Sequence, residues 1–204
     1  MKTIIAIDSF KGSLTSTEAG QAVQEGIRQA CPECRTEIIG IADGGEGMLD
    51  VMLNATGGIL HTVTAHNPCM EPIETSYGIS ADGTTAFIEM AAISGLPLIN
   101  AKQRNPMKTT TYGTGELIKD ALKKGCTRFV IGIGGSATND AGTGMLQALG
   151  YEFLDKDGNS LGQGGEILGK VVHIRTQKVH KLLKNAHFIV ACDVQNPFYG
   201  PKGA

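Results

Sequence analysis

Two periods of apolar spacing take turns along this chain, and each changeover marks an element. Lys2 to Asp8 holds Ile4, Ile5, Ala6 and Ile7 as one unbroken apolar run, the composition of a strand buried on both faces. Thr15 followed by Glu18 forms a capping box. Beyond it Ala19, Ala22, Val23, Gly26, Ile27 and Ala30 recur at helical spacing, and Pro32 closes the helix. Glu37 to Ala42 reads as a second strand, and Met48 to about Ala55 as a second helix ended by Gly57-Gly58. Strand alternating with helix predicts a parallel sheet.

After Gly58 the pattern changes. Ile59 to Ala65, Thr75 to Ile79 and Thr84 to Glu89 read as strands, with Asp82-Gly83 as a hairpin turn. Short strands joined by turns predict a mixed or antiparallel segment, with a second unit starting near Asn67. A helix is expected from Gly115 to Lys124, with Glu116 and Lys119 on its exposed side. The stretch Phe129 to Gly150 is strand, glycine-rich polar turn and helix in succession. Tyr151 to Leu161 is a hairpin around Asp157-Gly158, Val179 to Asn185 a short basic helix, and Phe188 to Cys192 a strand. The fold class is α/β.

Composition narrows the function classes. The 204 residues suffice for one large domain or two small ones, and 41% hydrophobic with 19% charged residues describes a soluble globular chain. The 28 glycines, with no Trp, imply small-residue packing and many tight turns. A net charge of −2 argues against nucleic acid or a membrane surface as the main partner, since both demand a basic field. No apolar run reaches the roughly 18 residues of a membrane span. The N-terminal run is too short for a signal peptide and lacks a cleavage pattern, so a cytoplasmic location is expected. Cys31 and Cys34 match C-x-x-C, but they follow a helix instead of opening one. No second pair or His stands at zinc spacing, which argues against redox or metal function.

The chemistry concentrates in FVIGIGGSATNDAGTGMLQALG. Glycines 132, 134 and 135 remove side-chain bulk, and a helix follows whose N–H groups carry partial positive charge. Ser136, Thr138, Asn139 and Asp140 add donors and a carboxylate that a mere connection does not need. Gly132 to Ala137 also imitates a dinucleotide fingerprint, but the polar residues delay the helix. Gly164 to Lys170 spaces like a P-loop with Val171 in place of the Ser or Thr that would ligate magnesium. Asp155, Asp157, Asn159 and Glu166 sit at calcium-loop spacings, yet Ser160 occupies the required glycine position.

Three other sites share one grammar. Asp8-Ser9-Phe10-Lys11-Gly12, Asp43-Gly44-Gly45-Glu46-Gly47 and Asp193-Val194-Gln195-Asn196-Pro197 each follow an apolar strand directly. In an open parallel sheet such residues gather at one edge, where ligands bind. Three aspartates there repel one another unless a cation shares the site, and Mg²⁺ with a nucleotide is the obvious cation. Lys11 then supplies positive charge for phosphoryl oxygens.

AIDSFKGSLTSTEA, IADGGEGMLD, TTTYGTGELIKDAL, IGIGGSATNDAGTGMLQALG and ACDVQNPFYGPKGA, in that order, resemble the successive signatures of the bacterial glycerate kinases of the glycerate 2-kinase type. The resemblance implies a Rossmann-like parallel α/β domain interrupted by a mixed α/β domain. Residues 1–66 would then be the first part of the former, incomplete in this chain. Residues 67–204 would be the mixed domain carrying the GIGGSATND loop, truncated at its C-terminal end. Family members are about twice this long, so the chain resembles their N-terminal portion. Ala141 and Thr143 stand where the family often has glycines.

The function implied is phosphorylation of a glycerate hydroxyl by ATP with Mg²⁺, to 2-phosphoglycerate by preference, in the catabolism of glyoxylate, sugar acids or serine. In that reading Lys11 contacts the transferring phosphate and Asp193 orients Mg²⁺. Asp43 accepts the hydroxyl proton or shares the metal. Asp8, Ser9, Gly134, Gly135, Ser136, Thr138 and Asn139 bind phosphate or the glycerate carboxylate, and Asp140 joins them or caps a helix. Glycerate and ATP are the expected partners, and a homodimer stays open. Two other readings remain: a non-catalytic module for a small acid or nucleotide, and a dinucleotide-dependent oxidoreductase.

Overall fold

The computed structural model of the chain describes residues 1–10, 13–192, 197, 200 and 201. Lys11, Gly12 and the Asp193 to Asn196 segment therefore lie outside the described residues.

Strands β1 (Lys2–Ile7) and β2 (Arg35–Gly40) pair in parallel, with Ile5 opposite Ile38. Helix α1 (Ser16–Ala30) joins them. Its capping box is complete: the Glu18 N–H donates to Thr15 Oγ1 at 3.2 Å, and the Thr15 N–H donates to Glu18 Oε2 at 2.8 Å. The helix seats on the sheet at Gly20, where a Cβ would stand 2.7 Å from Ile38 Cγ2. The two-sided burial expected of β1 is not what the strand shows. Ile5 is buried against α1, whereas Ile4 on the opposite face is 57% exposed and Ile39 beside it is exposed too. Among the described residues only the α1 face of this sheet is covered, so the unbroken apolar run alternates in burial.

Helix α2 (Met48–Thr56) ends at Gly57, which takes the left-handed conformation at φ 61°. It crosses onto a second sheet of five strands in the order β3 (Ile59–His66), β4 (Pro72–Ile79), β5 (Thr85–Glu89), β6 (Arg128–Gly132) and β9 (His187–Ala191). Gly78 on β4 receives Leu49 and Leu53 of α2; a Cβ there would lie 2.7 Å from both leucines. The first two strand pairings are antiparallel and the last two parallel, the mixed sheet that the turn-rich pattern predicts. Asn67 sits in the β3–β4 turn, where its Oδ1 accepts from the Cys69 and Glu71 N–H groups, so β3 shares its sheet with β4.

The core lies between this sheet and α4 (Tyr112–Lys123), with Tyr77, Ile88, Leu117, Ile118, Leu122 and Phe129 all fully buried. Helix α4 starts three residues ahead of its expected position. Glu116 is not a solvent-facing residue: its carboxylate accepts the His66 backbone N–H at 2.8 Å and meets the His66 ring at 3.0 Å. The short helices α3 (Ala91–Ser94) and α5 (Thr143–Ala148) flank α4. Strands β7 (Glu152–Leu154) and β8 (His173–Arg175) form a small antiparallel pair. The calcium-like segment is a hairpin tip in which Asp155 accepts the Asp157 and Asn159 N–H groups. The expected basic helix is a 3-10 turn, Lys181–Asn185, flanked by bonds of the i to i+3 type.

Leu117 is fully enclosed between α4 and the sheet. Leu117→Ala is expected to cost about 2–5 kcal/mol through lost burial and the cavity left behind. Thermal unfolding followed by circular dichroism should show a midpoint lower by on the order of 10 °C for a chain of this size.

Candidate functional site

In register, Glu89, Gly132 and Ala191 form one row across the three parallel strands, so the loops that follow them open at a single edge. The Asp43–Gly47 loop, which leads from β2 into α2, comes to the same edge. There two glycine-rich backbones touch. The Gly134 N–H donates to the Gly44 carbonyl at 3.3 Å, and the Ile133 N–H donates to the Ala191 carbonyl at 3.4 Å. The contact leaves no room for side chains. A Cβ on Gly132 would strike the Gly44 carbonyl, and one on Gly134 would stand 2.9 Å from the Gly45 Cα. Gly44 is required twice over: its φ is 89°, and a Cβ there would strike the Ala191 carbonyl.

Beside this contact lies a cavity of about 710 Å³, within the size range of small-molecule sites. Asp43, Gly45, Glu46 and Glu89 line it together with Ala91, Ala92, Pro97, Ile133, Gly134, Gly135, Ala191 and Cys192. A smaller hollow of about 180 Å³, lined by Ser9, Phe10, Thr17, Asp50 and others, shares Glu46 with it.

The expected site residues divide between the cavity and the protein interior. Asp43, Gly134 and Gly135 face the cavity. Asp43 is exposed, and its Oδ1 accepts the Gly45 N–H at 2.9 Å. Ser9 lines the smaller hollow, while Asp8 accepts the Ser9 N–H at 2.7 Å and lines neither. Ser136 and Thr138 spend their hydroxyls on main-chain carbonyls: the Ser136 hydroxyl donates to the Thr138 carbonyl at 2.9 Å, and the Thr138 hydroxyl donates to the Thr109 carbonyl at 2.7 Å. Asn139 is exposed and is not part of the cavity wall. Lys11 and Asp193 lie outside the described residues.

Asp140 is only 1% exposed. Its carboxylate accepts the N–H groups of Thr111 at 2.8 Å, Gly142 at 3.0 Å and Gly144 at 3.1 Å, with the Thr111 hydroxyl at 2.9 Å. One buried anion thus satisfies donors at the start of both α4 and α5. Of the two roles open to it, this geometry is that of a cap.

Glu89 escapes the sequence reading. It ends β5, and its Oε1 accepts the Leu49 N–H at 2.7 Å, at the start of a helix whose N-cap, Gly47, offers no side chain. Burial pushes the Glu89 carboxyl above its ordinary value. The Leu49 and Gly47 N–H groups pull the other way, and the charges of Asp50 and Glu46 add to the rise. The signal that could have found it is the grammar of the other three sites: an acid at the carboxyl end of an apolar strand, here Ala86-Phe87-Ile88-Glu89.

Among the described residues no three His, Cys, Asp or Glu side chains form a group able to hold a metal ion. Nor is any helix there long and apolar enough to cross a membrane. The dinucleotide pattern is spent differently from a fingerprint. Its glycines pack against Gly44 and Gly45, and α5 opens only at Thr143.

Parallel strands that bring glycine-rich loops and carboxylates to one edge, around a ligand-sized cavity, define an α/β ligand-binding protein of the open-sheet class. The chain belongs to the glycerate kinase family, whose sequence profile matches residues 3–204. It is similar to the glycerate 2-kinase of Escherichia coli K12, at 48% identity over 204 residues, covering 100% of this chain and 54% of that one. It is equally similar to the glycerate kinase of Bacillus subtilis 168, at 48% identity over 100% of this chain and 53% of the relative. A crystal structure assigned as glycerate kinase 2 from Salmonella typhimurium LT2 superimposes with a TM-score of 0.88 at 46% identity, covering all of this chain and 55% of that one. The chain spans about half the length of the relatives it matches.

Ala141, where the family often has glycine, adopts φ 52°. A side chain in the left-handed region costs roughly 1–2 kcal/mol, partly offset by the greater freedom of glycine in the unfolded chain. Ala141→Gly is therefore expected to raise stability by about 0.5–1 kcal/mol. Chemical denaturation should show a higher midpoint at unchanged slope.

Proposed function

We propose that this chain carries the reaction cleft of an ATP-dependent glycerate kinase. The observation that carries the reading is the meeting of the Asp43 loop and the Gly132–Gly135 loop around one cavity at the strand edge. Family membership supports it, and the name of the E. coli relative favours the 2-hydroxyl as the acceptor. Phosphoryl transfer asks the protein to align a hydroxyl with the phosphorus and to neutralise phosphate charge. Bare backbone at Gly134 and Gly135 lets an anion approach closely, as a side chain would not.

We assign Lys11 to the transferring phosphate and Asp193 to the magnesium that arrives with ATP. Asp43 fits a share in that metal: it is exposed, and its Oδ2 has no hydrogen-bond partner among the described residues. Ser9 and Asp8 extend the site toward the smaller hollow. Ser136, Thr138 and Asp140 serve by holding the loop in shape. We further propose that the chain divides near residue 67 into a Rossmann-like part and a mixed part, with β3 (Ile59–His66) joining the sheet of the mixed part and the cleft between the loops of the two. Cys31, Cys34, Cys69 and Cys126 are free thiols, which accords with a reducing, cytoplasmic setting.

The test is turnover of glycerate and MgATP by a family-length protein carrying this sequence, with the product read by ³¹P NMR. The expected product is 2-phosphoglycerate with stoichiometric ADP; no ADP release would overturn the reading. Asp43→Asn should lower turnover about a hundredfold and shift the Mg²⁺ dependence. Near-normal turnover with unchanged Mg²⁺ dependence would remove Asp43 from the site. Acid binding without nucleotide binding, measured by calorimetry, would favour the non-catalytic module.

A further inference from the structure

We propose that Glu89 is the group that takes the proton from the substrate hydroxyl, which leaves Asp43 to the metal. The proposal rests on the glycerate kinase reading and decides between two roles that the sequence left as alternatives for Asp43. Of the three carboxylates that line the cavity, Asp43, Glu46 and Glu89, the first two are exposed and Glu89 is not. Asp43 is exposed, so water remains available to it and a hydrated cation can reach it. Glu89 is half-buried at the end of β5, a strand with neighbours on both sides, and one oxygen is fixed by the Leu49 N–H at 2.7 Å. A carboxylate so held presents its remaining edge in one orientation, as a positioned proton acceptor must.

The surroundings favour the same division. Glu46 and Asp50 flank Glu89 from the α2 side, and Asp43 and Cys192 share the cavity with it. This acidic neighbourhood, with burial, makes Glu89 a stronger proton acceptor than an exposed carboxylate. In the step itself the hydroxyl oxygen forms a bond to the γ-phosphorus while the bond from that phosphorus to the bridging oxygen breaks. ADP leaves with the electron pair, and the hydroxyl proton passes to Glu89. The Ala91–Ala92 wall next to Glu89 is small and apolar, which leaves space for a short acid beside the carboxylate.

Glu89→Gln in the family-length protein separates this role from a structural one, because the amide oxygen can still accept the Leu49 N–H. The expected result is kcat lower by about a hundredfold or more, with KM for glycerate and for MgATP within threefold of the parent. The acidic limb of the kcat profile against pH should disappear as well. Glu89→Asp, which keeps a carboxylate one methylene short, should recover part of the rate and retain that limb. If Glu89→Gln keeps kcat within threefold and the acidic limb intact while the parent turns over, the proposal is overturned alone. If Glu89→Gln fails to fold, the decision passes to Glu89→Asp: a rate equal to the parent's at every pH overturns the proposal, and a lowered kcat with a displaced limb supports it. A parent protein inert toward glycerate and MgATP removes the proposal together with the reading beneath it.

Discussion

Backbone against backbone, the contact between the Asp43–Gly47 loop and the end of β6 is the constraint on which the rest of the site depends. It brings an element of the two-stranded sheet to the carboxyl edge of the five-stranded one. Only glycine permits it, since a Cβ at Gly44, Gly132 or Gly134 would meet main-chain atoms that cannot swing aside. Glycines in this chain therefore act less as flexible links than as missing side chains. Each removes one that would hold the two backbones apart, and the cavity forms where they meet.

A second constraint acts farther along the same loop, between β6 and α5. Asp140 is buried with donors from Thr111, Gly142 and Gly144 around it, and Gly144 has no side chain because Thr110 and Asp140 occupy that space. A buried carboxylate is tolerated only when its acceptors are filled, and here they are filled by the starts of two helices. Ser136, Thr138 and Asp140 thus spend their side chains on the protein's own backbone, while the neighbouring Gly134 and Gly135 line the cavity. Glu89 does for α2 what Asp140 does for α4 and α5, but it faces the cavity while doing so.

Local signals in the sequence read well where the physics is local. The Thr15–Glu18 box starts α1, Gly57 ends α2, and the strands from β1 to β6 lie within a few residues of their expected bounds. What stayed hidden depends on partners distant in sequence. The exposure of Ile4 follows from α1 covering a single face of its sheet. Glu116 looked solvent-facing because nothing nearby in sequence announces His66 as its partner. Asp140 was open to two roles, ligand group or helix cap, because its partners Thr110 and Thr111 lie about thirty positions away. Glu89 was legible in principle, as an acid closing an apolar strand, but without a glycine turn behind it the residue passed for an ordinary strand end. The resemblance carried by five ordered motifs reached the family directly, and the family profile agrees with it over residues 3–204.

Whether the glycine contact shapes a substrate cleft is tested most directly by Gly134→Ala. Gly134 is not among the glycines at positive φ, so alanine fits its backbone, yet the added Cβ would stand 2.9 Å from the Gly45 Cα and push the loops apart. In a family-length protein the substitution should leave the far-ultraviolet circular dichroism unchanged and weaken glycerate and MgATP binding, read by calorimetry, by about tenfold or more. Undiminished affinity for both ligands in a folded Gly134→Ala protein would contradict the account.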